Sequence, residues 1–118
     1  MRCEGRRAFV TGASSGIGLA TVRALAAEGA SVALCSRNLD KLKPLAASIG
    51  EAAFALKGDV REMRSMQIAA DHVKKKWGAP ADIVVANAGV VHTGEIASMA
   101  PEAWSEVIAT NLTGAFHT

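Results

Sequence analysis

Between residues 11 and 18 the chain reads Thr11-Gly12-Ala13-Ser14-Ser15-Gly16-Ile17-Gly18, directly after a short apolar run at 7–10 (RAFV). Glycines placed there permit a tight turn, let backbone come close to a ligand, and let the next helix pack closely. The first turn of that helix would offer unpaired N–H groups and a partial positive charge, which suit a phosphate. The Ser14 and Ser15 hydroxyls add donors. A glycine-rich turn by itself can be a mere connector, but between a strand and a helix it reads as a dinucleotide-binding turn. Its spacing is G-x-x-x-G-x-G, which departs from the general G-x-G-x-x-G fingerprint.

A second locus lies about 20 residues further on, where an acid at the end of the second strand usually holds a ribose 2′-hydroxyl. Here the strand ends Cys35-Ser36-Arg37-Asn38, without a carboxylate. Arg37 can fork onto phosphate oxygens while Ser36 and Asn38 donate hydrogen bonds, so the residues favour a 2′-phosphate, and NADP over NAD. The alternative for Arg37 is a surface arginine beside an N-cap. The missing acid also argues against an S-adenosylmethionine methyltransferase, whose site would want one for the ribose hydroxyls.

Four β-type runs, 7–10, 31–35, 52–57 and 82–86, alternate with helix-length segments at 16–28, 38–49, 60–77 and 101 onward. Strands alternating with helices pair in parallel through long crossovers. Runs apolar throughout, such as IVVA, fit a sheet covered on both faces. The expected fold is therefore α/β with a doubly wound parallel sheet, in one domain spanning 1–118. In the segment 60–77, Met66, Ala70, Val73 and Trp77 share a face, and Lys74, Lys75 and Lys76 sit where cations suit the helix dipole. Asn38 is a good N-cap for 38–49, but Pro44 either kinks that helix or starts its regular part. In the last helix Pro101 suits the first turn, and Trp104, Val107, Ile108, Leu112, Ala115 and Phe116 define the expected apolar stripe. Asn111, seven residues after Trp104, shares its side, and a buried amide there would need partners.

The chain has 118 residues, 50% hydrophobic and 20% charged, with a net charge of +2, which fits a folded domain and not a disordered one. That charge is too small to argue for a nucleic acid or a membrane surface, and the lysine cluster reads as a solvated helix end. Cys3 and Cys35 form neither a disulfide framework nor a metal-ligand spacing, and no metal is expected. With no secretory h-region and no spanning stretch, a cytoplasmic protein is expected.

The turn at 11–18 resembles the cofactor motif of the short-chain dehydrogenase/reductase family. The resemblance continues through Asp59-Val60, Asn87-Ala88-Gly89 and Asn111-Leu112-Thr113-Gly114, in the family's order. It implies a Rossmann-type fold with strand order 3-2-1-4 and a nicotinamide dinucleotide cofactor, of which the residues at 35–38 favour NADP. It further implies that Asp59 bonds the adenine amino group and the Val60 N–H a ring nitrogen. Asn87 and Gly89 would lie near the cofactor ribose, and Asn111 would hold a water linking a catalytic lysine to a proton relay. Read from the residues alone, Asp59 could cap the helix at 60, Asn87-Ala88-Gly89 could be a turn, and Asn111 could satisfy neighbouring backbone.

The family protonates its product alkoxide with a tyrosine, helped by a lysine four residues later and a serine. This chain contains no tyrosine. His72, His92 and His117 read as surface residues and not as substitutes. The resemblance covers the whole chain but only the N-terminal half of such an enzyme. The chain is thus expected to be the cofactor-binding half of an NADP-dependent oxidoreductase acting on a carbonyl or alcohol, cut after about four strands and inside the fourth helix. An exposed fourth strand would invite self-association, and the complete enzyme is expected to be a homo-oligomer. The alternative is a non-catalytic nucleotide-binding or interaction module.

Overall fold

The computed structural model describes residues Met1–Thr118. Four parallel strands, β1 (Arg7–Thr11), β2 (Ser31–Ser36), β3 (Ala53–Lys57) and β4 (Ile83–Val85), form one sheet in the order β3-β2-β1-β4. Alternating side chains of the inner strands serve two cores. Ala8 and Val10 of β1, with Val32 and Leu34 of β2, pack toward helices α1 (Gly16–Ala27) and α2 (Leu39–Ile49) through Val22, Leu42 and Ala46. Phe9, Ala33, Cys35 and Leu56 pack on the opposite face against Met66, Ala69 and Val73 of α3 (Met63–Trp77). The chain thus winds outward from β1 to β3 on one face. It then returns over the other face to place β4 on the free side of β1, as right-handed crossovers require. No helix is long and apolar enough to cross a membrane.

Several expectations need correction. The third helix starts at Met63 and not at 60, because Asp59 through Glu62 form a turn closed by the Glu62 N–H donating to the Asp59 carbonyl at 3.1 Å. Asp59 therefore does not cap it; the N-cap is Glu62, whose side chain makes no capping bond. Its buried face carries Ala69, while Ala70 is exposed. In α2 the regular helix does not wait for Pro44. It starts at Leu39, with Asn38 Oδ1 accepting from the Lys41 N–H at 3.2 Å, and runs on through the proline. Pro44 lies on the exposed side, so the Asp40 carbonyl that lacks a helical partner faces water.

The last helix departs furthest. It begins at Pro101 after an uncapped Ala100 as α4 (Pro101–Val107), becomes π-helical over Ile108–Thr113, and closes as α5 (Gly114–His117). Trp104, Ile108, Leu112 and Phe116, expected inside, are 57%, 36%, 66% and 77% exposed. Thr110 and Gly114 are buried instead. The cause is the close approach of the helix: a Cβ on Gly114 would lie 2.6 Å from Val60 Cγ2. Small residues therefore face inward, and the large apolar ones stay on the outer side from Trp104, before the π segment, to Phe116, after it. At the sheet edge Val84 is 53% exposed, as an open fourth strand implies.

Candidate functional site

Thr11 closes β1 and joins it to β4. Its buried hydroxyl oxygen accepts from the Asn87 and Ala88 N–H groups, both at 3.1 Å, and donates to the Val85 carbonyl at 3.4 Å. The strand order reverses at this point, where ligands of open α/β sheets bind. Asn87 then reaches back across the joint, its Nδ2 donating to the carbonyls of Thr11 (3.1 Å) and Gly12 (3.2 Å). Asn87 is thus both the turn former the residues suggested and a strut beneath the glycine turn.

The glycines are required by space and dihedral. Gly12 has φ +62° and would place a Cβ 2.8 Å from Asn87 Nδ2, while a Cβ on Gly18 would meet the Gly12 carbonyl oxygen at 2.1 Å. Gly16, at φ +55°, has nothing near its missing side chain. It is the first residue of α1, whose N-cap Ser15 makes no side-chain bond and whose first turn carries no acid. That helix end is open to an anion. Ile17 projects beside it, 79% exposed.

These residues line a cleft of about 650 Å³, within the roughly 300–1,000 Å³ of small-molecule sites. It brings together Gly12, Ser14, Ser15, Gly16 and Ile17 with Ser36, Arg37 and Asn38, then Asp59 and Val60, then Asn87, Ala88 and Gly89. Gly18 lies behind the wall, where it admits the Gly12 carbonyl. At the second locus the Ser36 hydroxyl is shared with the Asn38 backbone at 3.3 Å and Asn38 Oδ1 caps α2. Arg37 is exposed and joins none of the ion pairs.

Asp59 is held by Arg61, with Nη2 to Oδ2 at 2.7 Å and Nε to Oδ1 at 3.0 Å. The Arg61 guanidinium keeps the Asp59 carboxyl below its ordinary pKa, despite opposing desolvation. Asn111 does not line the cleft. Its side chain is exposed and grips one residue of the loop after β4, Oδ1 accepting from the Val90 N–H at 2.8 Å and Nδ2 donating to the Val90 carbonyl at 2.9 Å. His92 pairs with Glu106 at 2.8 Å, His117 meets the Val60 carbonyl at 2.7 Å, and His72 stacks on Phe54. His117 is half-buried and so not the surface residue expected.

Thr11, Lys41, Arg61, Val90 and Thr110 also line the cleft and were not singled out by the sequence. Lys41 carries a usable signal, a cation in the first turn of a helix where the dipole disfavours it. Arg61 carries none, because its partner becomes evident only once the turn is folded.

The chain's similarity to known proteins agrees with this geometry. The profile described as short chain dehydrogenase matches residues 6–118. The 2,3-dihydro-2,3-dihydroxybenzoate dehydrogenase of Bacillus subtilis is 38% identical over 117 residues, 97% of this chain and 44% of that protein. The D-threitol dehydrogenase of Mycolicibacterium smegmatis is 38% identical over 98% of this chain and 45% of its own length. Among solved structures, a short-chain type dehydrogenase/reductase from Mycobacterium marinum superposes with a TM-score of 0.93 at 34% identity, over 98% of this chain and 48% of that one. The 3-ketoacyl-(acyl-carrier-protein) reductase of Brucella melitensis, complexed with NADH, gives 0.92 at 30% identity, over 97% and 47%. The chain therefore spans less than half the length of these relatives. With its glycine turn at the β1/β4 switch point and a family match from residue 6 to its last residue, the chain belongs to the short-chain dehydrogenase/reductase family.

Proposed function

We propose that residues 1–118 form the cofactor-binding unit of a cytoplasmic NADP-dependent oxidoreductase that moves a hydride between nicotinamide and a carbonyl or alcohol substrate, in an assembly of several copies. The observation that carries the cofactor choice is the mouth of the cleft: Arg37 stands exposed at the end of β2, in none of the ion pairs, and the strand end Cys35-Ser36-Arg37-Asn38 carries no acid of its own. An arginine so placed pairs bidentately with a phosphate, and Lys41 on the same rim adds a second positive charge.

The residues fit the rest of such a cofactor. Gly12 and Gly16 leave room that side chains would fill, and the uncapped end of α1 would take the pyrophosphate. Asp59 and the Val60 N–H would hold the adenine edge, and Asn87 to Gly89 would lie along the ribose side. When bound, the cofactor supplies the hydride; this chain's residues bind and orient it. Asn111 acts in this reading by fixing the Val90 backbone, which positions the cleft wall. The family's proton donor is a tyrosine, and these residues contain none, so the 118-residue chain is expected to bind nucleotide without reducing carbonyls.

The test is a titration of the protein with NADPH and with NADH, followed by calorimetry. A charged hydrogen-bonded pair contributes about 1.5–3 kcal/mol, so NADPH should bind about 10- to 100-fold tighter. Arg37→Ala should collapse that ratio and leave NADH binding nearly unchanged. Equal or tighter binding of NADH by the unaltered protein would overturn the cofactor assignment.

A further inference from the structure

Asp59 and Arg61 both line the cleft, and nothing above gives Arg61 a role toward the nucleotide. Its guanidinium takes the Asp59 carboxylate side-on. Nη2 donates to Oδ2 at 2.7 Å, and Nε donates to Oδ1 at 3.0 Å and more weakly to Oδ2 at 3.3 Å, while the Arg61 backbone N–H donates to Oδ1 at 3.0 Å. A two-pronged pair of this kind fixes the carboxylate plane as well as its position. Of the about four acceptor directions a carboxylate has, the two on Oδ1 are used and one on Oδ2 is used. One remains for a further donor.

Asp59 lies three residues before Glu62, the N-cap of α3, so its carboxylate is not at a capping position and instead closes the turn on the Arg61 N–H. The Arg61 fork then fixes that carboxylate, and both residues line the cleft. The same pairing keeps Asp59 ionised, an acceptor only, well into acid.

We infer that Arg61 is a positioning residue that makes the Asp59 carboxylate selective for a purine with a 6-amino group. A single open acceptor direction on a carboxylate locked in its charged form suits an amino N–H. It repels the carbonyl oxygen that hypoxanthine or guanine presents at the same place. The inference rests on the reading of Asp59 as the base contact.

The experiment compares NADPH with its hypoxanthine analogue, in which a carbonyl oxygen replaces the amino group. It uses the unaltered protein, Asp59→Asn, Arg61→Gln and Arg61→Lys, with the NADPH/NADH ratio as an internal control. The unaltered protein should favour the adenine form about 10-fold or more. Asp59→Asn and Arg61→Gln should abolish that preference while NADPH stays preferred over NADH, because Arg37 is intact. Arg61→Lys keeps the charge without the fork and should lower the preference several-fold; it carries the test if Arg61→Gln does not fold. If the unaltered protein shows no adenine preference, the reading of Asp59 fails and the inference with it. If Asp59→Asn loses the preference and the Arg61 variants keep it in full, the role of Arg61 alone is overturned.

Discussion

Gly18→Ala tests the joint on which the cleft depends. The added Cβ would stand 2.1 Å from the Gly12 carbonyl oxygen, 2.6 Å from Asn87 Nδ2 and 2.8 Å from the Gly12 carbonyl carbon. The first of these is about 1.3 Å short of the 3.4 Å at which ordinary contact begins. Two of the three atoms are backbone and cannot rotate away. The start of α1 must therefore move from the turn, and the Asn87 amide must give up its bonds to Thr11 and Gly12. Overpacking of a closed site costs about 1–3 kcal/mol, and each lost hydrogen bond about 1 kcal/mol. We predict a destabilisation of about 3 kcal/mol, near 10 °C in Tm for a chain of this size, and a large loss of nucleotide affinity.

Gly16→Ala is the internal control. Gly16 also has a positive φ, +55°, but nothing lies within 4 Å of its missing Cβ. Only backbone strain of about 1–2 kcal/mol applies there, offset in part by the better helix propensity of alanine. Urea unfolding of both variants, followed by circular dichroism, gives the comparison. Equal destabilisation by the two substitutions, or a Gly18→Ala effect below about 0.5 kcal/mol, would refute the packing argument, because ordinary surface changes reach that size.

Two further outcomes follow from buried groups. Thr11→Val keeps the shape but strips the oxygen that accepts from Asn87 and Ala88; the Asn87 N–H keeps the Val85 carbonyl at 3.0 Å, so the Ala88 N–H alone is left without a partner and the loss should be about 1–3 kcal/mol, whereas Thr11→Ser should recover most of it in the same urea titration. The Cys35 thiol, wholly buried at the end of β2, is pushed up to about 12 by desolvation from an ordinary 9.0. Its folded pKa lies above its unfolded one, so the stabilisation is complete below pH 9 and is lost as pH rises from about 9 toward 12. The urea midpoint should fall across that window with a slope that Cys35→Ala removes, and a thiol reagent at pH 8 should label Cys3 quickly and Cys35 only on unfolding.

What could be read before folding was what depends on neighbours in sequence. The inner strands announce themselves as apolar runs because both faces of the sheet are covered there; β4 is equally apolar although Val84 is 53% exposed, so its run does not mark coverage on both faces. The glycine turn announces itself because its conformation demands that residue type. The last helix misleads for a specific reason. A stripe of large apolar residues normally marks the inward face, but here Val60 presses on Gly114, so that the inward face is built from small residues and Trp104, Leu112 and Phe116 are turned out. Likewise the Asp59 and Val60 pair was visible as a motif, while its setting was not: the helix starts only at Met63, which takes Asp59 out of the capping position, and the Arg61 side chain, two residues on, pairs with its carboxylate.

The cleft and the sheet edge are one structural problem. β4 has only three residues in register with β1, pairing Ala8 with Ile83, Phe9 with Val84 and Val10 with Val85, and its other side is open. So short an edge strand has little ladder to hold it, and side chains secure both of its ends. At the start, Asp82 accepts from the Arg7 backbone N–H and from its guanidinium, each at 2.8 Å, while Arg7 Nε donates to the Pro80 carbonyl at 2.9 Å. At the finish, Thr11 and Asn87 exchange bonds across 76 residues of sequence. Those latter bonds also set the height of the Gly12 turn, the floor on which a phosphate would rest. A nucleotide bound there and the pairing of β4 with β1 therefore depend on the same atoms, so binding energy at the turn must also stabilise the weakest strand of the sheet.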